Sequence, residues 1–450
     1  MSSSAAELDR DATEEARQRA RTLRRRQIRL VALLFAGYAA CYFCRADLSV
    51  ATPLLIEEFG RSGVSPDDAK TFIGTVTSLG VLAYAFGKFF LTGLGDFWGG
   101  RRNFLIGMGG ATVFTLLFAV GGGFPIFTLA WVGNRLTQSI GWAGLIKVSS
   151  RWFDYSVYGT VIGILSISYL IGDAAARQSM GMLLAHGFGW RALFVYAAIV
   201  VGLAFIANAL FLRESRTDLG YAEARVNPLS LYASSAAKAG GVAELLAPLL
   251  RSSAFLLVCF LSFGCTIVRE TFNTWNPQYL RDQLGFSVSD AASLSAIFPG
   301  VGAISVLLSG WLSDRLGLSG RSLLMIVGLT ASAAMLLVLA LYSSGAHRLL
   351  AVAGIAIVAF SLLGPYSYLG GAFALDFGGK QASAVASGLI DGVGYLGGTL
   401  AGYVVAKVSV LYGWKGVFVA LAVISALAVL AAAYLLTVSR RAATTVAAHA

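Results

Sequence analysis

Long apolar segments, each of roughly 20 to 30 residues, recur along almost the whole chain. They lie at 28–56, 71–94, 104–123, 126–149, 157–185, 190–212, 253–280, 289–312, 322–344, 347–377, 381–407 and 414–437, which makes twelve. About 20 apolar residues are enough for one helix to cross a bilayer, whereas a barrel strand needs about 10 and alternates in polarity. Backbone groups inside hydrocarbon must be hydrogen-bonded within the segment. The pattern therefore predicts an all-α integral membrane protein with twelve transmembrane helices.

Charge and composition agree with this class. Only 13% of the residues are charged and 57% are hydrophobic, whereas soluble proteins have about 25% charged residues. Most of the net charge of +11 lies in the N-terminal tail and in alternate short loops, as the positive-inside rule describes. We therefore predict both termini in the cytoplasm, a multi-pass protein of the inner (plasma) membrane, the lipid bilayer as a partner and no nucleic acid.

The chain repeats itself at about half its length. Residues 189–195, with the sequence GWRALFV, return as GWKGVFV at 413–419, displaced by 224. The repeat predicts two pseudo-symmetric six-helix halves with a solute site between them near the membrane midplane. The predicted organisation is a cytoplasmic tail (1–27), an N-terminal half (28–212), a cytoplasmic linker (213–252), a C-terminal half (253–437) and a cytoplasmic C-terminal tail (438–450).

Two arginines stand inside the apolar segments, where a charge costs roughly 3 kcal/mol. Arg45 lies in the first segment and Arg269 in the seventh, separated by the 224 residues of the repeat. Tyr38, Tyr42 and Arg45 are spaced to share one helix face. Glu270 follows Arg269 but points about 100° away on a helix, so the sequence leaves their pairing open. If both arginines face the central axis, they form a clamp for one dianion, and phosphate fits because guanidinium binds its oxygens bidentately.

The sequence carries no motif of the common enzyme classes. It has no P-loop, no paired metal ligands and no nucleophile elbow with triad partners. Cys41 and Cys44 form a C-x2-C element, but no other Cys or His lies close enough in sequence to complete a zinc site. We predict that the protein is not an enzyme and has no catalytic residue, no metal and no cofactor.

Several motifs connect the chain with a known family. The loop Gly-Asp-x-x-Gly-x-Arg-Arg at 95–102, with its echo in the second half, resembles the major facilitator superfamily. The more specific motifs are Tyr38-x3-Tyr42-x2-Arg45, Leu48-Ser49-x-Ala51-x-Pro53, Tyr84-Ala85-Phe86-Gly87-Lys88-Phe89, Gly141-Trp142, Trp152-Phe153 and Arg269 six residues before Trp275. These resemble the organophosphate:phosphate antiporters, which include glycerol-3-phosphate, hexose-phosphate and phosphoglycerate carriers.

The resemblance implies the major facilitator fold and roles for particular residues. It implies that Arg45 and Arg269 bind the phosphate moiety, and that a lysine and three tyrosines line the same cavity. The latter are Lys88, Tyr38, Tyr42 and Tyr84.

Four positions depart from the glycerol-3-phosphate carriers. Those carriers have a lysine, an aspartate, a histidine and a tyrosine where this chain has Ala46, Thr274, Tyr169 and Leu363. The departures weaken a glycerol-3-phosphate assignment and any mechanism that depends on histidine protonation, and they leave the phosphate clamp intact.

Other polar residues inside the segments allow two interpretations each. Lys88 lies one turn after Tyr84 and either faces the cavity, which we favour, or extends its ammonium to the membrane surface. Asp173 and Arg177 are four residues apart and are predicted to pair along one helix; the alternative is that Asp173 contacts sugar hydroxyls. Asp391 has no basic residue in reach along the sequence, so it either recognises substrate hydroxyls or pairs with one of the cavity cations.

Aromatic and loop residues complete the candidates. Trp142, Tyr169 and Tyr395 are predicted to line the cavity, although packing is a close alternative for Trp142 and aromatic residues in helices are more often core. Arg135 resembles the helix-four arginine of the superfamily, for which a structural or gating role is the safer reading. The loops between helices two and three and between helices eight and nine are predicted to gate the transporter, through Asp96, Arg101, Arg102, Asp314 and Arg315.

These observations predict a monomeric secondary transporter that exchanges an organophosphate, such as a sugar phosphate, for inorganic phosphate by alternating access. The first alternative is a membrane sensor of sugar phosphate that signals to a kinase partner. The second is a proton-coupled organic anion carrier in which Asp391 or Asp173 holds the proton.

Overall fold

The computed structural model describes residues 2–91, 98–224, 248–342 and 345–449. The α-helices are α1 Ser2–Cys41, α2 Phe43–Arg61, α3 Pro66–Phe90, α4 Gly100–Val120, α5 Phe124–Gln138, α6 Gly141–Trp152, α7 Tyr155–Ala185, α8 Trp190–Phe211, α9 Ser253–Asp282, α10 Val288–Ser295, α11 Ile297–Tyr342, α12 Arg348–Tyr368 and α13 Ala374–His449. Short 3-10 turns lie at Arg216–Leu219 and Gly345–His347, and a π-helical turn at Leu369–Phe373 joins α12 to α13. The all-α prediction is confirmed.

Within the described residues, ten helical regions are long and apolar enough to cross a membrane. The last of them, Val385–Thr437, has 53 residues, which at about 1.5 Å per residue is more than twice the thickness of the hydrocarbon core. Gly413 lies within it with a φ of +65°, a left-handed conformation that marks the turn between two spans. The predicted fourth segment is divided between α5 and α6, each too short to count as a span by itself. The number twelve stays a prediction.

The first predicted segment is broken where its most polar residues lie. α1 ends at Cys41, α2 begins at Phe43, and Cys44 has non-helical backbone angles of −80° and +15°. Tyr42 N and Arg45 N donate to carbonyls three residues back, those of Ala39 and Tyr42. The straight helix face expected for Tyr38, Tyr42 and Arg45 is therefore interrupted, because the chain changes direction between the first tyrosine and the arginine.

The two halves touch through small residues and helix-to-helix hydrogen bonds. A Cβ atom on Gly402 of α13 would lie 2.5 Å from the Gly74 carbonyl oxygen of α3, so only glycine permits this close crossing. One turn along, Ser78 Oγ donates to the Thr399 carbonyl (2.5 Å) and accepts from Tyr403 N (2.8 Å). Packing of this kind places the helices that carry the predicted site side by side.

A proline in α9 leads to a second set of hydrogen bonds between the halves. Pro277 has no N–H, so the carbonyl of Asn273, four residues earlier, lacks its usual helical donor. Arg177 of α7 supplies one, with Nη2 at 2.7 Å from that oxygen. The next carbonyl of α9, that of Thr274, accepts from Ser49 Oγ of α2 at 2.8 Å.

Candidate functional site

A small cavity lies between the two halves, and both repeat-related arginines line it. Its volume is about 60 Å³, the share of roughly two water molecules, whereas ligand pockets usually measure about 300–1,000 Å³. Its lining includes Tyr42, Arg45, Leu48, Ser49, Thr77, Trp131, Arg135, Tyr169, Leu170, Asp173, Arg177, Arg269, Glu270, Asn273, Thr274, Phe298, Leu363 and Tyr395. The cavity is contracted, and a solute larger than a few atoms needs the halves to separate before it can enter.

The charge of the lining is strongly unbalanced. The lining contains four arginines and two carboxylates, so two positive charges are in excess when all are ionised. In a low-dielectric interior an uncompensated cation is costly, and a dianion is the species that would compensate this excess.

Among the described residues, the hydrogen-bond partners of Arg45 are neutral. Its Nε donates to Gln138 Oε1 at 2.8 Å and its Nη1 to the Tyr42 hydroxyl at 3.1 Å. The side-chain NH2 group of Gln138 donates to Asn134 Oδ1 at 2.6 Å, and the Gln138 oxygen is thereby oriented toward Arg45. Asn134 in turn donates to Thr115 Oγ1 at 2.8 Å. This buried chain of amides fixes the guanidinium, and no described carboxylate pairs with it.

Arg269, in contrast, has a carboxylate partner. Its Nη2 lies 2.7 Å from Glu270 Oε1, so the pairing that the sequence left open does form, because both side chains are long enough to curve back toward each other. The guanidinium also faces the ring of Tyr366 at 4.6 Å and that of Tyr395 at 5.4 Å. Its Nε is buried without a hydrogen-bond acceptor, which leaves a donor for a ligand oxygen.

Asp173 and Arg177 form the predicted intrahelical pair. Asp173 Oδ1 accepts from Arg177 Nε at 2.9 Å, which confirms the pairing interpretation. The remaining nitrogens of Arg177 reach across to Ser295 Oγ (3.3 Å) and to the Asn273 carbonyl (2.7 Å) of the other half. This arginine therefore joins the halves, and its carboxylate partner is already occupied.

Arg135 is a cavity residue that the sequence reasoning undervalued. It lines the cavity, its Nε is buried without an acceptor, and it forms no ion pair with a described carboxylate. Its guanidinium lies over the Tyr84 ring at 5.5 Å and the Trp131 ring at 5.7 Å. The sequence contained one indication of a role in the cavity, because Arg135 and Gln138 are two polar residues one turn apart within an apolar segment. Gln138 is the residue that accepts from Arg45.

The predicted tyrosines form a cluster around these cations. The Tyr84 ring lies 4.6 Å from Arg45, 5.5 Å from Arg135 and 5.6 Å from Lys88, distances at which cation–π attraction operates. It also meets Tyr395 edge to face at 4.8 Å, across the two halves. Tyr84 is thus the centre of the cation cluster.

Tyr38, Trp142 and Tyr169 surround Tyr42. Tyr38 contacts Tyr42 at 5.7 Å and Trp142 at 5.1 Å, while Tyr169 contacts Tyr42 at 5.6 Å between ring centres. Tyr42 and Tyr169 line the cavity directly, whereas Tyr38 and Trp142 lie behind them. The predicted place on the cavity wall is thus seen for Tyr42 and Tyr169 and not for Tyr38 and Trp142, and the part of all four in substrate binding stays a prediction.

Five of the predicted substrate-binding residues lie outside the cavity lining, namely Tyr38, Tyr84, Lys88, Trp142 and Asp391. Lys88 and Asp391 are half-buried and outside the lining; Asp391 packs against Gly370, where a Cβ would meet Oδ1 at 2.6 Å. Leu363 stands where the glycerol-3-phosphate carriers have a tyrosine, but Tyr366, one turn later, brings its ring over Arg269. Because Tyr366 is three residues after Leu363, the sequence alone could have indicated that it lies on the same side of the helix.

The predicted gating loops are only partly described. Asp96 lies outside the described residues, as do the side chains of Asp314 and Arg315. Arg102 is exposed. Arg101 donates to the carbonyls of Ala209 (2.6 Å) and Leu212 (2.8 Å), at the end of α8 in its own half. The gating role stays a prediction.

Comparison with known proteins decides the family. A profile of the Major Facilitator Superfamily matches residues 34–402. The chain belongs to the Major Facilitator Superfamily. The family consists of transporters and not enzymes, which confirms that prediction.

Relatives of this chain include proteins named for the transport of organophosphates. A probable hexose phosphate transport protein of Chlamydia trachomatis is 28% identical over 88% of each chain. The glycerol-3-phosphate transporter of Bacillus subtilis is 26% identical over 86% of this chain and 87% of that protein. The membrane sensor protein UhpC of Escherichia coli is 26% identical over 88% of each. These relatives confirm the resemblance to the organophosphate:phosphate antiporters.

A solved structure supports the fold alone. The crystal structure of a bacterial homolog to the human lysosomal transporter Spinster, in an inward-facing and unoccupied conformation, aligns with a TM-score of 0.72 at 16% identity, covering 92% of this chain and 97% of that one. The predicted major facilitator fold is thereby confirmed.

Ion pairs join the two halves at one end of the helices. We call the side where α2 ends and α3 begins, at 61–66, the distal side. There Arg281 of α9 pairs with Glu57 of α2 and donates to the Pro53 carbonyl at 3.1 Å, and Lys70 lies 3.2 Å from Asp282. Glu57 and Arg281 are themselves 224 residues apart, so the repeat axis runs through this contact. The distal ends of the halves are held together.

The Glu57→Arg substitution should slow transport by about fivefold, because it sets two cations against each other at a half-exposed contact worth about 1 kcal/mol. The double variant Glu57→Arg/Arg281→Glu should recover most of the rate, which a double-mutant cycle in proteoliposomes measures. The matched control is Glu58→Arg, whose partner Arg191 belongs to the same half. Equal losses in the Glu57 and Glu58 variants would contradict a gate between the halves.

Proposed function

We propose that this protein exchanges an organophosphate for inorganic phosphate across the inner (plasma) membrane, with the phosphate group held between Arg45 and Arg269. The observation that carries the proposal is that the two repeat-related arginines line one cavity between the halves. The names of the hexose phosphate and glycerol-3-phosphate relatives support the substrate class.

The pairing of Arg269 sets how the anion binds. Glu270 occupies one side of that guanidinium in the contracted cavity, so an arriving phosphate competes with this carboxylate. Arg45 has neutral partners, Gln138 and Tyr42, within the described part of the chain and offers its charge directly. The anion meets Arg45 first and then draws Arg269 from Glu270.

Arg135 supplies the excess charge that makes exchange obligatory. With Arg269 and Arg177 paired, Arg45 and Arg135 are the two cavity arginines that have no carboxylate partner among the described residues. Both share the Tyr84 ring. Carrying two uncompensated charges through the closed state is unfavourable, whereas a bound dianion neutralises them. Only the transporter with a bound anion then converts easily between the conformations that are open to one or the other side of the membrane.

The sugar end of the substrate would contact the aromatic and amide wall. Tyr169, Asn273 and Thr274 line the cavity and have groups suited to sugar hydroxyls. Asp173 is turned toward Arg177, so it is a weaker candidate for this contact than the sequence suggested. A hexose phosphate offers more hydroxyls for this wall than glycerol phosphate does.

Counterflow tests the function. Proteoliposomes loaded with inorganic phosphate should take up labelled phosphate, external hexose phosphates should compete, and uptake should vanish when the lumen holds no phosphate. Uptake without internal phosphate that follows an imposed pH gradient would contradict the proposal and favour the proton-coupled carrier. That alternative needs a free cavity carboxyl, whereas Asp173 and Glu270 are both paired.

A second candidate is a membrane sensor, favoured by the 26% identity to UhpC. Both functions require the same anion-binding cavity, so binding does not separate them. A sensor would bind a sugar phosphate, as seen in a rise of the melting temperature, and exchange it at a negligible rate in the same preparation.

A further inference from the structure

A second, larger cavity of about 570 Å³ lies at the opposite end of the helices from the distal side. It lies between α1 and α8, which run side by side where Arg29 and Leu30 begin the first apolar segment and Phe211 ends α8. The central cavity shares no lining residue with it. It therefore needs an explanation separate from the transported solute.

Three arginines stand at its mouth. Arg26, Arg29 and Arg213 belong to the lining, which contains no acidic residue, and none of the three forms an ion pair with a described carboxylate. Arg26 lies over the Tyr221 ring at 5.4 Å, which holds it beside the opening. The concentration of unneutralised guanidinium groups at the membrane surface favours a phosphate-bearing headgroup.

The walls below the arginines are apolar and run along the helices. Arg26, Arg29, Leu33 and Ala36 follow one another at intervals of three or four residues, so they share one face of α1. From Arg29 to Ala36 this face descends about 10 Å into the hydrocarbon region. Phe211 of α8, with 68% of its surface exposed, forms the opposite wall. A polar opening above an apolar groove of this depth fits a lipid headgroup and an acyl chain. A soluble anion has no apolar chain that could fill the groove.

We propose that this cavity, which we call the α1–α8 groove, binds an anionic phospholipid. Arg26, Arg29 and Arg213 hold the phosphodiester, and an acyl chain lies along Leu33 and Ala36. The bound lipid would fasten the first helix to the sixth predicted span at the membrane surface.

Native mass spectrometry of the purified full chain tests this, with phosphatidylglycerol and phosphatidylcholine as probes. The first phosphatidylglycerol adduct should need at least fivefold more lipid in Arg26→Gln/Arg29→Gln than in wild type. The matched control Arg24→Gln/Arg25→Gln removes the same charge from neighbouring exposed positions of α1 outside the groove and should bind like wild type. Ala36→Trp fills the groove without a charge change and should weaken the adduct as well. Melting temperatures confirm that each variant is folded.

Four results would overturn the proposal. They are equal losses in the two arginine pairs, unchanged binding in Ala36→Trp, equal affinity for phosphatidylcholine, and displacement of the lipid by glycerophosphoglycerol, which has the headgroup and no acyl chain. Each would show either that the N-terminal part of α1 attracts anions generally or that the groove holds no acyl chain.

Discussion

Phosphate exchange should be nearly abolished in Arg45→Lys and in Arg269→Lys, although each variant keeps its positive charge. A guanidinium binds two phosphate oxygens in a fixed plane, whereas an ammonium acts as a point charge. Lysine also loses the planar Nε contact by which Gln138 orients Arg45. Loss of about 2 kcal/mol or more from such charged hydrogen bonds corresponds to roughly thirtyfold or more in affinity.

The measurement is labelled phosphate counterflow in proteoliposomes with equal amounts of inserted protein. Arg191→Lys is the control, because Arg191 lies at the surface and pairs with Glu58 inside its own half. Exchange near the wild-type rate in either clamp variant would refute the clamp. Because lysine preserves the cavity charge, a loss of exchange in a variant that melts normally identifies the geometry of the guanidinium as the cause.

Glu270→Gln should make the folded protein much more dependent on phosphate. In wild type the carboxylate already compensates Arg269 at 2.7 Å, and breaking a buried pair by removing one partner costs about 3–5 kcal/mol. An anion bound beside Arg269 would recover part of that loss. We therefore expect a lower melting temperature without ligand, a larger increase on adding inorganic phosphate than in wild type, and about tenfold tighter phosphate binding, since the anion no longer displaces a carboxylate.

Turnover in Glu270→Gln should fall, because the empty cavity gains a further uncompensated charge. Glu58→Gln provides the control, since it removes a carboxylate from a surface pair. If inorganic phosphate shifts the melting temperature of wild type and Glu270→Gln equally, Arg269 does not bind the anion, and the competition between phosphate and Glu270 is wrong.

Much of the fold was predictable because its cause is local to the chain. Long apolar segments exclude every spanning structure except helices, and the repeat at 224 residues indicated which positions are symmetry mates. Arg45 and Arg269 are such mates, and both line the same cavity. The sequence also predicted the pair Asp173–Arg177, whose spacing of four residues brings two side chains together on any helix.

Other features of the site were not predictable, because they depend on contacts between distant helices or on local departures from helical geometry. The helix breaks at Tyr42, a departure that the pattern of a regular helix does not predict, although Tyr42 still contacts both Tyr38 and Arg45. Gln138 orients Arg45 from 93 residues away, and nothing in the local pattern announces it. Arg135 was placed among structural residues, since sequence position alone does not say which way a buried arginine points.

By itself, the sequence determined the membrane class, the helical structure, the two-fold repeat and the two arginines that the membrane makes costly. Only the tertiary structure decided how the charge in the cavity is distributed. Arg269 pairs with Glu270 and Arg177 pairs with Asp173, whereas Arg45 and Arg135 pair with no carboxylate of the described residues. The physical reason is that hydropathy acts on each segment separately, whereas compensation of a buried charge depends on atoms a few ångströms apart on helices that the chain brings together only when it folds.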